Sequence, residues 1–349
     1  MAVVKYGVIG CGAIAQRRHI PEGAANPKSK IVAIADPVPG RAAEIGAKVG
    51  AEAYTDYKKM LKDAAMDAVV VCGPNALHAK QTIEALKAGF HVLVEKPMAT
   101  NRADAKKMIA QAKASRKFLM VGMNQRLMAP HAKAREVFEQ GKLGKVLAFE
   151  TSFKHPGPDG WSIDGAKSWF FKKDAAVMGV CGDLGVHKAD LMRFLLGEEI
   201  VKVGGIIKTR DKKGADGKLI PLDDNAYVVM ETASGAMGSM NISWTNYGNI
   251  EDNGTILYCE KGVMRIAMDR EYGVMVDYRT GQKERYVVGA VSTNTRQVGS
   301  GIIDSFTDSI LTGRKPAIDG VEGYRAMNVI VTAMEAAKQG KMLPVSLKI

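Results

Sequence analysis

No cysteine in this chain stands close to another. The four of them (Cys11, Cys72, Cys181, Cys259) form no CxxC pair and no metal-ligand spacing. That excludes a disulfide scaffold and a ribbon-type zinc site, and it suits a reducing, cytoplasmic setting. No stretch of about 18 uncharged apolar residues occurs, which excludes a membrane-spanning helix. The opening residues, Met1-Ala2-Val3-Val4-Lys5, lack a basic leader, an apolar core and a small-residue cleavage site. They read as the start of a strand rather than an export signal. HExxH and clustered carboxylate–histidine patterns are missing too, so no catalytic metal is expected.

Nucleic-acid signatures are also absent, although 49 Lys+Arg against 37 Asp+Glu leave a formal charge of +12. The basic residues are spread in pairs such as Lys58-Lys59, Lys106-Lys107, Lys172-Lys173 and Lys212-Lys213. No recognition-helix, zinc-finger or aromatic RNA-binding pattern accompanies them. A solvated surface that attracts anionic small molecules, dinucleotides among them, is the expected consequence. The 19 methionines fall mostly in apolar segments and read as core filler.

What is present describes a folded chain of more than one domain: 349 residues, 46% hydrophobic and 25% charged. Up to residue 123, short apolar runs at 6–10, 30–35, 68–72, 91–94 and 118–122 alternate with helix-like stretches at 13–24, 41–49, 79–88 and 103–115. The runs are Val- and Ile-rich on consecutive positions, as in strands buried on both faces of a parallel sheet. Residues 1–123 are therefore expected to form a doubly wound α/β domain. From 124 to 349 the rhythm changes. A helix at 130–140, a strand at 145–153, a Gly/Pro-punctuated loop at 155–164 and a helix near 186–196 lead into successive strands between 201 and 288. Helices at 302–311 and 321–339 close the chain. Adjacent strands joined by turns predict an α+β domain with a largely antiparallel sheet.

The first strand runs into Gly10-Cys11-Gly12-Ala13-Ile14-Ala15, a GxGxxA sequence. Gly10 permits a tight turn, Gly12 lets the backbone approach a pyrophosphate, and Ala13 and Ile14 open the helix whose N–H groups face the phosphates. Asp36 follows the second strand. A carboxylate there accepts from a ribose 2′-hydroxyl and repels a 2′-phosphate, which favours NAD; Arg41 keeps NADP open.

Two clusters carry chemistry. Glu95-Lys96-Pro97 follows a buried-type strand, where side chains face the ligand crevice. A lysine there can donate a hydrogen bond to a substrate oxygen, and a nearby cationic nicotinamide would lower its pKa. Gly182-Asp183-Leu184-Gly185-Val186-His187 opens a helix and puts Asp183 and His187 on one face. A histidine has the pKa range of a general base, and a carboxylate can fix its tautomer. His155, Trp161, Asp164 and Trp169 lie in a loop where substrate contacts are expected; His19, His91 and His131 read as structural or surface residues.

These elements resemble the glucose–fructose oxidoreductase / inositol dehydrogenase (Gfo/Idh/MocA) family. The similarity runs through Gly7–Gly12, Gly73-Pro74-Asn75-Ala76-Leu77-His78, Ala88 to Pro97, Asn124-Gln125-Arg126, Asp183 to His187, and Asp319-Gly320-Val321-Glu322-Gly323. The resemblance implies an N-terminal Rossmann domain and a C-terminal domain on a large open, mainly antiparallel sheet through which copies associate as dimers or tetramers. It implies hydride transfer between a nicotinamide cofactor and a secondary alcohol of a sugar or cyclitol. In that scheme Lys96 hydrogen-bonds the reacting oxygen, His187 takes its proton and Asp183 positions substrate or base. Glu95 and the Lys96–Pro97 bond shape the cofactor edge, Pro74, Asn75 and His78 line the nicotinamide ribose side, and Arg126 lies near the nicotinamide. Glycoside cleavage through transient sugar oxidation, and non-catalytic dinucleotide sensing, remain alternatives on the same fold. Two departures stand out: Gly73 replaces a common threonine, and 178–182 lacks the usual run of glycines before Asp183.

Overall fold

The computed structural model describes residues 2–248, 251–291 and 299–349, and the chain divides into two units. Of the described residues, the first holds 2–124, Trp161–Ile163 and 299–324, and the second holds the rest.

The first unit is built on six strands: β1 (Val4–Ile9), β2 (Ser29–Ala35), β3 (Glu52–Tyr54), β4 (Ala68–Val71), β5 (His91–Val94) and β6 (Leu119–Val121). They lie in the order β3-β2-β1-β4-β5-β6 and every pairing is parallel. All four residues of β4 are buried, as a strand covered on both faces requires. The chain leaves β1 toward β3 and then returns to the other side at β4, so the ends of β1 and β4 flank the switch point where ligands bind in such sheets.

Helix Ile302–Thr312 also belongs here, whereas the sequence division at 123/124 left it with the C-terminal half. Its apolar face (Ile302, Ile303, Phe306) is buried, and Thr307 Oγ1 lies 2.8 Å from the Tyr6 hydroxyl of β1. Amphipathicity announces such a face but not the surface that covers it. Further on, the Ile318 carbonyl accepts from Val121 N–H at 2.9 Å, closing the otherwise open edge of β6.

The second unit carries a nine-stranded sheet. Its strands are β7 (Val146–Lys154), β8 (Ile200–Lys208), β9 (Asn225–Thr232), β10 (Met237–Ser243), β11 (Thr255–Cys259), β12 (Gly262–Ile266), β13 (Val274–Tyr278), β14 (Lys283–Tyr286) and β15 (Leu343–Pro344). The order is β14-β13-β12-β11-β7-β10-β9-β8-β15, antiparallel except for the pair β7–β10. Inward and outward residues alternate along β9 and β11. Ile206, Tyr227, Val229 and Met237 are exposed, so part of the outward-facing set is apolar.

Helix Val186–Leu196 buries a lysine completely. Lys188 Nζ donates to the Asn253 carbonyl at 3.2 Å and lies 5.9 Å from the centre of the Phe153 ring. Burial pushes its ammonium down to about 7, against the opposing pull of Asp252 and Glu251. Between about 7 and the ordinary 10.5 the unfolded chain holds a proton that the native chain has released. Native stability therefore climbs with pH through that window, by up to about 1.4 kcal/mol per unit from this group, and the gain is gone below it. Urea unfolding of wild type and Lys188→Met from pH 7 to 9.5 should show a shallower rise in the variant. A difference between the two that does not change with pH would refute this account.

Candidate active site

In the first unit the glycine loop follows β1. Gly10 has φ +90°, and a Cβ there would sit 2.9 Å from the backbone of Cys72 and Gly73. Only glycine satisfies both the positive φ and that approach. Gly12 differs: a Cβ added to it would meet nothing within 4 Å, so the loop faces open space there. Asp36, just past β2, holds this loop with its carboxylate. Oδ2 accepts from Cys11 N–H at 2.7 Å, Oδ1 accepts from Val38 N–H at 2.9 Å, and Arg41 lies 3.8 Å away. Burial, with Asp36 adding to it, pushes the Cys11 thiol up to about 12, so Cys11 is no nucleophile. An open glycine loop with a carboxylate at the end of the neighbouring strand fits a dinucleotide: phosphates at the loop and helix start, ribose hydroxyls at Asp36.

Glu95-Lys96-Pro97 leaves the end of β5, and the Lys96–Pro97 bond is cis. Glu95 is buried. Its Oε1 takes His19 Nε2 at 2.7 Å and Arg18 Nη1 at 3.2 Å, and Oε2 accepts the Lys96 N–H at 3.2 Å. Burial alone would raise this carboxyl, but the His19 hydrogen bond and the Arg18, His19 and Lys96 charges outweigh it. The acid is held well below the usual carboxylate range. Arg18 and His19 went unrecognised as site residues in the sequence. A signal existed: Arg17-Arg18-His19 puts cationic residues within two turns of a helix start, against the helix dipole, which asks for a compensating anion.

The two ring nitrogens of His78 lie 2.8 Å from the carbonyl oxygens of Pro97 and Gly73, and the side chain is buried. It braces the turn after β5 against the turn after β4. Asn75 is buried in the first turn of helix Asn75–Lys87, with Pro74 just before it.

The second unit carries Asp183 and His187, the two residues nominated for acid–base work. Asp183 lies in a wide π-helical turn, Cys181–Gly185, that opens into helix Val186–Leu196 and His187; such turns recur at functional sites. Close packing explains the glycines: a Cβ on Gly185 would come within 3.0 Å of Ile242 and Ile330. The Asp183 Oδ2 accepts from Trp244 Nε1 at 3.0 Å and lies 3.7 Å from His155 Nε2. Gly157 N–H donates to His155 Nδ1 at 2.9 Å, so Nδ1 is the acceptor nitrogen and the proton is assigned to Nε2, facing Asp183. Phe153 packs beside both histidines, its ring centre 5.8 Å from that of His155 and 6.2 Å from that of His187.

Of the other loop candidates, Trp169 stacks on Phe170 at 3.9 Å, and Phe170 meets Trp244 edge-on. Asp164 is exposed at a short 3₁₀ turn, and Trp161 belongs to the first unit. Arg126 makes a two-pronged ion pair with Asp190 at 2.7 and 2.6 Å, committing its guanidinium to helix Val186–Leu196. Trp244 was missed in the sequence. An indole one residue past the end of β10, in Ser243-Trp244-Thr245, is the only local hint.

Residues 4–123 match the model of an oxidoreductase family with an NAD-binding Rossmann fold, and residues 131–265 match the GFO/IDH/MocA C-terminal domain. The chain belongs to the Gfo/Idh/MocA family. Among its relatives is the myo-inositol 2-dehydrogenase of Thermotoga maritima, 28% identical over 331 residues and covering 93% of both chains. The levoglucosan dehydrogenase of Pseudarthrobacter phenanthrenivorans is 28% identical over 318 residues, 82% of this chain and 79% of its own. Among solved structures, aldose-aldose oxidoreductase from Caulobacter crescentus, complexed with glycerol, superposes with a TM-score of 0.82 at 26% identity, covering 98% of this chain and 99% of that one. The two-part architecture and the NAD-binding Rossmann fold are thus those of the family. Among the described residues no helix is long and apolar enough to cross a membrane.

Proposed function

We propose that this protein is an NAD-dependent dehydrogenase acting on a secondary alcohol of a sugar or cyclitol. The observation that carries the reading is that a chain of this family, with its glycine loop open at Gly12, has Lys96, Asp183 and His187 in its sequence. Bound NAD supplies the hydride acceptor. Gly10, Gly12, Ala13 and Ile14 hold its phosphates, and Asp36 accepts from the adenosine ribose and disfavours a 2′-phosphate. His187 takes the hydroxyl proton, and Lys96 donates to the oxygen as negative charge grows on it. Asp183, an acceptor-only carboxylate fixed by Trp244 and His155, orients substrate or base.

Inositol and levoglucosan as substrates of relatives support a polyhydroxylated ring as the substrate class. The exposed apolar residues Ile206, Tyr227, Val229 and Met237 support self-association through the nine-stranded sheet as a dimer or tetramer, and four free thiols support a cytoplasmic location.

A panel of cyclitols, aldoses and anhydrosugars, each followed at the absorbance of reduced nicotinamide, tests the reading. NADH should accumulate with at least one ring substrate, and faster with NAD than with NADP. Release of free sugar without net NADH would replace this reading with glycoside cleavage. Silence across the panel, despite measurable NAD binding, would replace it with a sensor.

A further inference from the structure

Two adjacent carboxylates at the entry to β9 each hold one of the two loops that meet at Asp183. The Asp223 Oδ1 accepts from Gly179 N–H at 3.0 Å, its Oδ2 from Cys181 N–H at 2.7 Å, and its backbone carbonyl from Val180 N–H at 2.8 Å. Three consecutive N–H groups thus end on one residue, immediately before the turn that carries Asp183. A Cβ on Gly179 would lie 1.9 Å from the Asp223 carbonyl oxygen, so the loop is drawn in as tightly as a chain allows. This is the segment where the expected run of glycines is absent.

Asp224 holds the other arm. Fully buried, it accepts from Arg210 N–H at 2.7 Å and from Asp211 and Lys212 N–H at 2.8 Å each. Those donors fix the root of Lys212, whose buried Nζ bonds both Asp159 carboxylate oxygens at 2.8 and 2.9 Å. The Lys212 Cε lies where a Gly157 Cβ would fall, at 2.6 Å, and Gly157 (φ +106°) is the residue whose N–H sets the His155 tautomer. One arm therefore runs from Asp224 through Lys212 and the 157–159 turn to His155. The other runs from Asp223 through 179–181 to Asp183. They converge at the 3.7 Å contact between His155 Nε2 and Asp183 Oδ2.

We propose that Asp223 and Asp224, with Lys212, are positioning residues that set the Asp183–His155 geometry and hence the orientation of the substrate alcohol. The proposal rests on the dehydrogenase reading for its kinetic consequence. An asparagine at 223 keeps the shape but turns one acceptor into a donor facing an N–H, and a methionine at 212 removes the bond to Asp159 while keeping the stem. Each substitution should lower kcat for the alcohol about tenfold, since small misplacements of reacting groups are costly. The KM for NAD should stay within about twofold. Because both arms end on the same pair, the double variant Asp223→Asn/Lys212→Met should lose much less than the product of the two single losses.

The experiment has two arms. Kinetics of the two singles and the double are measured beside thermal melts; if Asp223→Asn does not fold, Asp223→Glu, which keeps the charge and displaces the carboxylate from Gly179 and Cys181, takes its place in the cycle. Separately, ¹⁵N-histidine spectra of the apo protein, with His155 assigned through His155→Gln, should show its Nε2–H tautomer in wild type and a displaced signal in both singles. Multiplicative kinetic losses, or a His155 signal indifferent to both substitutions, would overturn the proposal. An inactive wild type whose His155 signal still responds would instead sink the dehydrogenase reading and leave the positioning geometry standing.

Discussion

Lys96→Ala should lower turnover of the alcohol substrate by about 10²–10⁴-fold while NAD affinity changes little. The lysine sits where β5 ends, and the backbone beneath it is held on both sides. Its own N–H donates to Glu95, and the Pro97 carbonyl lies 2.8 Å from a ring nitrogen of His78. A held backbone root limits where the ammonium can reach, and stabilising a developing oxyanion demands a donor placed at that oxygen. Alanine keeps the backbone and removes only the donor. The loss should therefore fall on kcat and kcat/KM alike, the mark of an interaction made in the transition state. Steady-state kinetics, with NAD affinity read by fluorescence titration, checks this. Turnover like wild type would remove Lys96 from the chemistry, and an equal loss of NAD affinity would make it a cofactor residue instead.

The first unit was readable because its strands are buried on both faces. Continuous runs such as Ala68-Val69-Val70-Val71 leave no amphipathic alternative, and a glycine loop after the first of them fixes where the ligand lies. What escaped notice was short. The three-residue β3 has two exposed positions, and the helix Tyr57–Asp63 beyond it is announced only by its Asp56 cap, which accepts from Lys58 N–H at 2.9 Å. Neither offers enough periodicity to detect. In the second unit the turn-separated strands predicted an antiparallel sheet. The one parallel pairing, β7 with β10, joins strands some 90 residues apart in the chain, and no local pattern encodes such a choice.

The site divided along the same line. Lys96, Asp183 and His187 could be named because residue type and place in the chain are enough to nominate an acid, a base or a donor. Their partners could not. Trp244 reaches Asp183 from 61 positions away and His19 reaches Glu95 from 76, distances at which only the folded chain brings groups together. His78 shows the same limit: a histidine just inside a helix can be read from the sequence, but the two carbonyls set against its ring cannot.

Glu95→Gln should cost about 3–5 kcal/mol of stability at neutral pH, the range seen when one partner of a buried ion pair is removed. The side chain is buried with Arg18, itself buried, and neutralising the acid leaves that guanidinium facing an amide that can no longer balance it. The pH dependence follows from the direction of the shift. The native carboxyl is held below its ordinary 4.5. Its stabilising contribution is therefore fully present above about 4.5 and is lost as pH falls toward the native value, because the unfolded chain takes up the proton first. Urea unfolding at pH 7 and again below pH 4 should show the gap between wild type and variant narrowing in acid. Arg18→Met/Glu95→Leu, which replaces both charges by apolar side chains, should recover much of the loss at pH 7. A Glu95→Gln protein within 1 kcal/mol of wild type at neutral pH would mean that solvent, not Arg18 and His19, satisfies this carboxylate.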